Sequence, residues 1–211
     1  MSFGATPLVA ATVLPQAIRE FREQRPNLRV QMFDGDAAAI MQKVEVGSLD
    51  MGLGVFFKHL PGVRRTALFR SYLMAIRTDD GQAARRRRSI AWSALKGKRL
   101  IALQPAYPLQ QLIDRHLARS GVAHEPAVVL NGLTTVLGMV EAGEGTAIVP
   151  SFALPACRNR PIVISRLTEP EVHLDFHQIR QAGRKLPAVA EEFTAFLQRY
   201  LAKWAGESDV L

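Results

Sequence analysis

The chain has 211 residues, of which 48% are hydrophobic and 22% are charged, a balance typical of a folded globular protein. Apolar runs such as Leu73–Ile76 are far shorter than the roughly 20 residues that a membrane-spanning helix needs, and the first residues do not resemble a signal peptide. The single cysteine, Cys157, excludes an internal disulfide and suits a cytoplasmic protein.

The formal charge of +8 is spread unevenly. From Gly81 to Ile113 there is no acidic residue, and Arg85–Arg88 form an uninterrupted arginine run. Such a run is either a patch for nucleic acid or another anion, or a solvated loop. No aromatic residues alternate with the arginines to stack on bases, so the sequence favours the solvated loop.

The first third of the chain alternates strand and helix patterns. A short strand, Ser2–Ala5, precedes a helix whose apolar residues recur at helical spacing, and Pro26 ends that helix. Alternating apolar residues then predict a strand from Leu28 to Met32. The turn Asp34–Asp36 begins a second helix, which Gly47 ends, and Asp50–Val55 is the next strand.

The middle and end of the chain repeat this order. The predicted strands, each apolar and bounded by turn residues, are Arg99–Leu103, Pro126–Leu130, Thr146–Val149, Pro161–Leu167 and His173–Ile179. The predicted helices are Leu109–Ser120, a segment through Val136 and Val140, and a closing helix with Val189, Phe193, Phe196, Leu197 and Tyr200 on its apolar side.

Two stretches, Ser71–Asp80 and His173–Gly183, are predicted to connect two similar halves. We therefore expect an α/β fold of two Rossmann-like lobes, joined by two crossover strands, with a ligand cleft between them. Lobe I would hold residues 1–72 and 178–211, and lobe II residues 73–177. In open α/β sheets a ligand site lies at the carboxyl ends of the strands, where helix N-termini point their N–H groups.

Four segments resemble, in register, the effector-binding domain of LysR-type transcription regulators. They are Leu14–Pro26 with the strand after it, Gly47–Gly52, Val140–Pro150, and Arg184–Pro187 before the closing helix. The resemblance runs from about Phe3 to Tyr200 and implies a fold like that of type 2 periplasmic binding proteins, holding a small effector between the lobes.

The same resemblance implies partners outside this chain. Regulators of this kind carry an N-terminal winged helix-turn-helix, which this chain lacks, so contact with DNA is expected only through that domain. It also implies a homodimer or higher homo-oligomer, in which the region Leu14–Met32 meets Gln110–Ser120 of a second copy. The positive charge favours an anionic effector, such as a carboxylate.

Two loops of the first lobe are candidate effector contacts. Thr6 and Pro7 precede a helix, where Thr6 either contacts the effector or is a plain N-cap. The family loop matching Asp36 faces the effector, but its carboxylate favours a helix cap over an anion contact. Phe56, after a strand, is either a wall of the cleft or an ordinary core aromatic.

Two loops of the second lobe are the stronger candidates. Gln104 and Tyr107 lie between a predicted strand and helix, and Asn131 and Thr134 lie in the corresponding place after the next strand. Their side chains can bind an effector, and Asn131 or Thr134 can also cap the helix. These loops match the effector-contacting positions of the family.

Catalysis is not expected, and neither a metal nor another cofactor is predicted. The five histidines lack metal-ligand spacing, and no phosphate loop or nucleophile elbow is present. Arg158 beside Cys157 would lower the pKa of the thiol, although a buried bystander cysteine is the commoner outcome. A transporter's solute-binding protein and an enzyme on the same fold remain as alternatives.

Overall fold

The computed structural model describes residues 1–81 and 88–208, and the side chains through residue 202. Of the arginine run, Arg85, Arg86 and Arg87 lie outside the described residues. The chain divides into two compact units. Unit 1 comprises Met1–Arg70 and Asp175–Leu211, and unit 2 comprises Ser71–Leu174.

Unit 1 contains helices on both faces of one sheet. Its elements are β1 (Ser2–Ala5), α1 (Pro7–Thr12), α2 (Leu14–Gln24), β2 (Gln31–Asp34), α3 (Ala37–Glu45), β3 (Met51–Gly54), the first half of β4 (Val63–Thr78), most of β10 (His173–Gln181) and α7 (Ala188–Ser208). Pro15 has no N–H to continue the hydrogen-bond ladder, and the chain accordingly forms α1 and α2 rather than one long helix.

The sheet of unit 1 has the strand order β2-β1-β3-β10-β4. Strand β1 is parallel to both β2 and β3, whereas β10 is antiparallel to β3. The predicted strand at Leu28–Met32 is wrong in its bounds, since the observed strand β2 begins at Gln31, the register partner of Ser2 in β1.

Two apolar layers cover this sheet. On one face Phe3 stacks on Phe193, and Phe21 packs edge-on against the same ring, with centroids 5.8 Å and 5.2 Å apart. On the other face α3 contributes Ile40, which packs where a side chain at Gly4 or Gly52 would lie. The parallel strands thus bring their carboxyl ends to one edge between the two helical layers.

Unit 2 has the same α/β character with its own sheet. Its elements are the second half of β4, β5 (Ser89–Ala91), β6 (Leu100–Leu103), α4 (Pro108–Arg119), β7 (Val128–Leu130), α5 (Leu133–Glu141), β8 (Thr146–Pro150), α6 (Leu154–Cys157), β9 (Ile162–Thr168) and the start of β10. Short 3-10 turns occupy Trp92–Leu95 and Ser151–Ala153.

The main path of this second sheet is β4-β8-β6-β7. Strand β6 is parallel to β7 and to β8, and β4 is antiparallel to β8 and to β9. The core is built around Trp92, which is fully buried and donates its indole N–H to the carbonyl oxygen of Pro170. The strands predicted in this half are observed with ends shifted by one or two residues.

Candidate functional site

Two loops of unit 2 lie side by side at the carboxyl edge of its sheet. Leu103 at the end of β6 is the register partner of Leu130 at the end of β7. Directly beyond them, the Gln104 N–H donates to the carbonyl oxygen of Leu130 at 3.0 Å. The loop containing Gln104 and Tyr107 is therefore next to the loop that begins at Asn131.

Each of these loops leads into a helix N-terminus. Helix α4 has Tyr107 as its N-cap and α5 has Gly132, and in this described part of the chain neither end has a side-chain cap or an acidic residue in its first turn. The predicted capping role of Asn131 or Thr134 is wrong, because Gly132 holds the cap position. The backbone N–H groups of both ends can therefore bind an anion.

The four predicted side chains at this edge are open to solvent. Gln104, Asn131 and Thr134 are exposed, and 39% of Tyr107 is accessible. Together they offer two amides, a phenol and a hydroxyl, which are hydrogen-bonding groups without charge. This edge can thus combine helix dipoles with neutral donors and acceptors.

A buried serine pair at the same edge was missed by the sequence reasoning. Strand β8 is parallel to β6, so Ser151 emerges beside the loops already described. Its hydroxyl lies 3.0 Å from that of Ser71 and accepts the N–H of Tyr72 at 3.3 Å. Both serines are almost fully buried, so the pair ties β4 to the end of β8. The only sequence signal is a serine directly after the proline-ended strand.

In unit 1 the structure places Thr6 and Pro7 at the carboxyl end of β1. Thr6 is the N-cap residue of α1, yet within the described chain its side chain makes no capping hydrogen bond. Instead it fills the space beside Gly54, where an added Cβ would lie 2.9 Å from its Cγ2 and 3.1 Å from its Oγ1. Pro7 is exposed as the first residue of the helix.

Two other predicted residues of unit 1 have structural roles. The Asp36 carboxylate accepts the N–H of Ala39 at 2.8 Å, which confirms the helix-cap interpretation. Phe56 is 2% exposed and packs with Ile40 and Val63 in the core beneath α3. The core alternative is confirmed for Phe56, and its position gives no support to a role as a wall of a ligand site.

His177 and Arg65 bring charge to this edge and were also missed as site residues. His177 in β10 is the register partner of Gly54, and its buried Nδ1 has no hydrogen-bond partner among the described residues. Burial lowers the pKa of His177, and the positive charge of Arg65 lowers it further, against a smaller opposing effect of Asp175. The Arg65 guanidinium donates to the carbonyl oxygen of Phe56 at 2.7 Å. Sequence spacing could not reveal this group, because strand pairing assembles it.

Cys157 does not form a reactive site. It is 3% exposed, and burial raises the pKa of its thiol to about 11, although Arg160 acts in the lowering direction. The arginine that acts on the thiol is Arg160 and not Arg158, which the sequence suggested. The expected burial of the cysteine is confirmed. Since the thiolate is the nucleophile, such a thiol is inert at neutral pH.

Across residues 1–81 and 88–208, no group of three or more His, Cys, Asp and Glu side chains is arranged to hold a metal ion. Within the same ranges, the helices are either too short or too polar to cross a membrane.

Comparison with known proteins identifies the family. The model of the LysR substrate binding domain matches residues 1–202. An HTH-type transcriptional regulator of Shigella flexneri, YfeR, is 27% identical over 189 residues, covering 89% of this chain and 60% of the relative. A hydrogen peroxide-inducible genes activator of Dickeya chrysanthemi is 26% identical, covering 76% of this chain and 52% of the relative. The chain thus spans only part of the length of these regulators.

Solved structures share the fold across nearly the whole chain. The Corynebacterium glutamicum OxyR C206 mutant has a TM-score of 0.82 at 20% identity, covering 100% of this chain and 66% of that one. The Synechocystis PCC6803 CcmR regulatory domain with 2-PG has a TM-score of 0.78 at 14% identity, covering 94% and 95%. The BenM effector binding domain with benzoate has a TM-score of 0.77 at 19% identity, covering 97% and 93%.

These likenesses confirm the predicted fold class, a mixed α/β fold like that of type 2 periplasmic binding proteins. The match over residues 1–202, together with the α/β elements and loop positions described above, settles the family. The chain belongs to the LysR substrate binding domain family.

Proposed function

We propose that this chain is the sensing part of a LysR-type transcription regulator and binds a small anionic effector. The observation that carries the proposal is the edge of unit 2, where the loops after β6 and β7 are adjacent and lead into two helix N-termini without side-chain caps. Backbone N–H groups at a helix start attract anions. BenM is solved with benzoate and CcmR with 2-PG, which supports an acid as the effector class.

The proposed contacts differ between the two units. In unit 2 they are Gln104, Tyr107, Asn131 and Thr134, whose side chains are accessible at one sheet edge. In unit 1 they are Thr6 and Pro7. Asp36 and Phe56 have a cap and a core position instead, so we leave them out of the proposed site.

A thermal-shift screen tests this proposal. The probes are benzoate, shikimate and 2-PG, with benzamide as an uncharged match for benzoate. A ligand at about one hundred times its Kd stabilises a protein by roughly 2.7 kcal/mol, which raises Tm measurably. We expect at least one acid to raise Tm more than benzamide does.

The Thr134→Val variant then locates the binding. Loss of one hydrogen bond to the ligand is expected to weaken affinity by about three- to tenfold, while Thr135→Val, on the same exposed helix turn, serves as the matched control. Equal affinity in wild type and Thr134→Val would remove Thr134 from the site. Stabilisation by benzamide alone would overturn the anionic effector.

We further propose a homodimer that uses the outer edges of both sheets. Strands β2 and β7 end the strand order of their units, and they expose Met32 and Val129 by 40% and 42%. Exposed apolar groups on edge strands are favoured pairing surfaces. The region Leu14–Met32 would then contact Gln110–Ser120 and β7 of a second copy. Light scattering should give twice the chain mass, and Met32→Glu with Val129→Glu should give the single mass.

Sensing of peroxide through a thiol, which the name of one relative suggests, is not supported. Cys157 is the sole cysteine of the chain, and its buried thiol has a pKa of about 11. We expect slow reaction with a thiol reagent in the native state and fast reaction after unfolding. A fast native reaction at neutral pH would reopen this function.

One relative is named as a transcriptional regulator and another as a genes activator, which favours regulation over both transport and catalysis. For the whole protein we propose a cytoplasmic regulator without enzyme activity, in which a DNA-binding domain contacts the operator. The division into lobes at residues 1–72 with 178–211 and 73–177 stays a prediction.

A further inference from the structure

A row of three residues crosses the carboxyl edge of unit 1. The side chain of Thr6 lies where a side chain at Gly54 would be, with its hydroxyl oxygen 3.1 Å from that Cβ position. His177 is directly opposite Gly54 in the antiparallel pair of β3 and β10. Directly opposite residues point to the same face with Cβ atoms about 5 Å apart. The Thr6 side chain therefore fills the side-chain position of Gly54, on the side of the sheet to which His177 points.

Arg65 adds a guanidinium to this row. One of its nitrogens donates to the Phe56 carbonyl oxygen at 2.7 Å, which anchors the side chain at the end of β3. A guanidinium has five N–H donors, and no carboxylate pairs with Arg65 among the described residues. The remaining donors and the full positive charge are thus available.

The acidic groups near this row are engaged elsewhere. The Asp175 carboxylate, on the same strand as His177, lies 3.5 Å from the Arg70 guanidinium and is shared with it. The Asp36 carboxylate keeps its charge and accepts the Ala39 N–H at the start of α3. Burial and then the positive charge of Arg65 disfavour protonation of His177, against a smaller effect of Asp175 in the other direction. An oxyanion would satisfy both groups, because it accepts from the guanidinium and from the imidazole.

We propose that Arg65 and His177 bind an oxyanion group of the effector in unit 1, with the Thr6 hydroxyl beside them. The inference rests on the proposed function and adds charged residues to the contacts proposed in unit 1. The ligand class is an oxyanion, either a carboxylate or a phosphate. The anion replaces the missing counter-charge of Arg65 and accepts an N–H from the His177 ring.

Binding measurements on four variants test the assignment, with inorganic phosphate and benzoate as probes. Arg65→Gln should raise the Kd of the better probe by about tenfold or more, as loss of a charge-assisted hydrogen bond predicts. Arg65→Lys keeps the positive charge but lacks the paired N–H donors of the guanidinium, so its Kd should lie between those of the wild type and Arg65→Gln. His177→Gln should weaken binding by a few-fold. Arg64→Gln removes a neighbouring exposed charge on the other side of the strand, and should bind like wild type.

Proton NMR of the histidine rings gives a readout that a structural role would not move. The His177 signal is assigned by its loss in His177→Gln. Added phosphate should shift this signal and raise the pKa of His177, and Arg65→Gln should raise that pKa without phosphate. Tm and circular dichroism of the ligand-free variants show whether each one is folded. Weaker binding can then be distinguished from loss of folding.

Two results would overturn the assignment. One is equal affinity of Arg65→Gln and Arg64→Gln for the probe; the other is no binding or histidine shift with either anion. A failure of the proposed function looks different, because no ligand of any charge then raises Tm. If benzamide binds and Thr134→Val weakens it, the sensing role stands while the anion site at Arg65 and His177 is rejected.

Discussion

The two units differ in how the glycine and the helix N-termini are arranged at the carboxyl edge of each sheet. In unit 2 the glycine at the edge, Gly132, has open space around it, and α4 and α5 begin there without side-chain caps. In unit 1 the edge glycine, Gly54, is covered by Thr6, and α3 is capped by Asp36. In unit 1, α1 also begins without a side-chain cap, at Thr6. In our proposals, unit 2 contributes backbone N–H groups to a ligand, whereas unit 1 contributes the side chains of Arg65 and His177.

The largest expected effect comes from filling the two edge glycines. Gly54→Val should lower the free energy of unfolding by about 3 kcal/mol, because the new side chain meets Thr6 and because the φ of +155° is strained for a branched residue. Gly132→Ala should change it by no more than about 1 kcal/mol, since its φ of −150° suits any residue and nothing lies within 4 Å. Urea unfolding measures both.

A second substitution sharpens this comparison. If contact with Thr6 is the cause, Thr6→Gly should recover part of the stability lost in Gly54→Val. No recovery would attribute the whole loss to the backbone of Gly54. A loss in Gly132→Ala as large as that in Gly54→Val would remove the contrast between a covered and an open edge.

A smaller effect is expected from pH, and it should appear in both units. Burial lowers the pKa of His177 in unit 1 and of His116 in unit 2 below the ordinary value of 6.5, and neighbouring arginines add to both shifts. As the pH falls from 6.5 through the lowered folded-state pKa values, these two rings therefore bind more protons in the unfolded chain than in the folded chain, and their contribution to stability decreases. Unfolding curves at several pH values should show this decline.

The histidine variants separate the contributions of the units. His177→Gln and His116→Gln should each make the decline between pH 6.5 and lower values shallower, and the double variant should make it shallowest. His124 is half-buried, and its Nε2 lies 3.5 Å from the Asp114 carboxylate. Replacement of His124 serves as a comparison. An unchanged slope in the double variant would refute the assignment of this pH dependence to these two rings.

The smallest effect is expected from the surface ion pairs. Arg25 pairs with Glu192 at 2.7 Å in unit 1, and Arg160 pairs with Glu141 at 2.6 Å in unit 2. All four side chains are partly exposed, so Arg25→Gln and Arg160→Gln should each cost less than about 1 kcal/mol. Salt at about 0.5 M should reduce both losses by screening. A loss above 2 kcal/mol in either variant would mark a structural role beyond the ion pair.

Local patterns predicted the elements of this fold but not all of its contacts. The helix start at Asp36 was readable because a carboxylate before an apolar helical stretch is a self-contained signal. The cap of α5 was misread, because the position of Gly132 depends on where β7 stops pairing with β6. The strand at Leu28–Met32 was placed too early for the same reason. Both errors follow from partners that are distant in sequence.

The candidate site shows the same division. Loop residues such as Gln104 and Asn131 were predicted because they directly follow predicted strands. Arg65 and His177 are far apart in the chain and meet through the pairing of β3, β10 and β4, which no spacing rule encodes. The partial burial of the His177 ring, which lowers its pKa, is likewise a property of the folded sheet alone.

The buried thiol of Cys157 has a practical consequence for optical measurement. A maleimide reacts with thiolates, and a thiol whose pKa is about 11 supplies almost none at neutral pH. A cysteine introduced by Thr135→Cys on the exposed start of α5 would therefore carry a fluorophore at one position without removal of the native cysteine. The native chain thus suits single-site labelling, and the emission of a label next to Thr134 would report ligand binding.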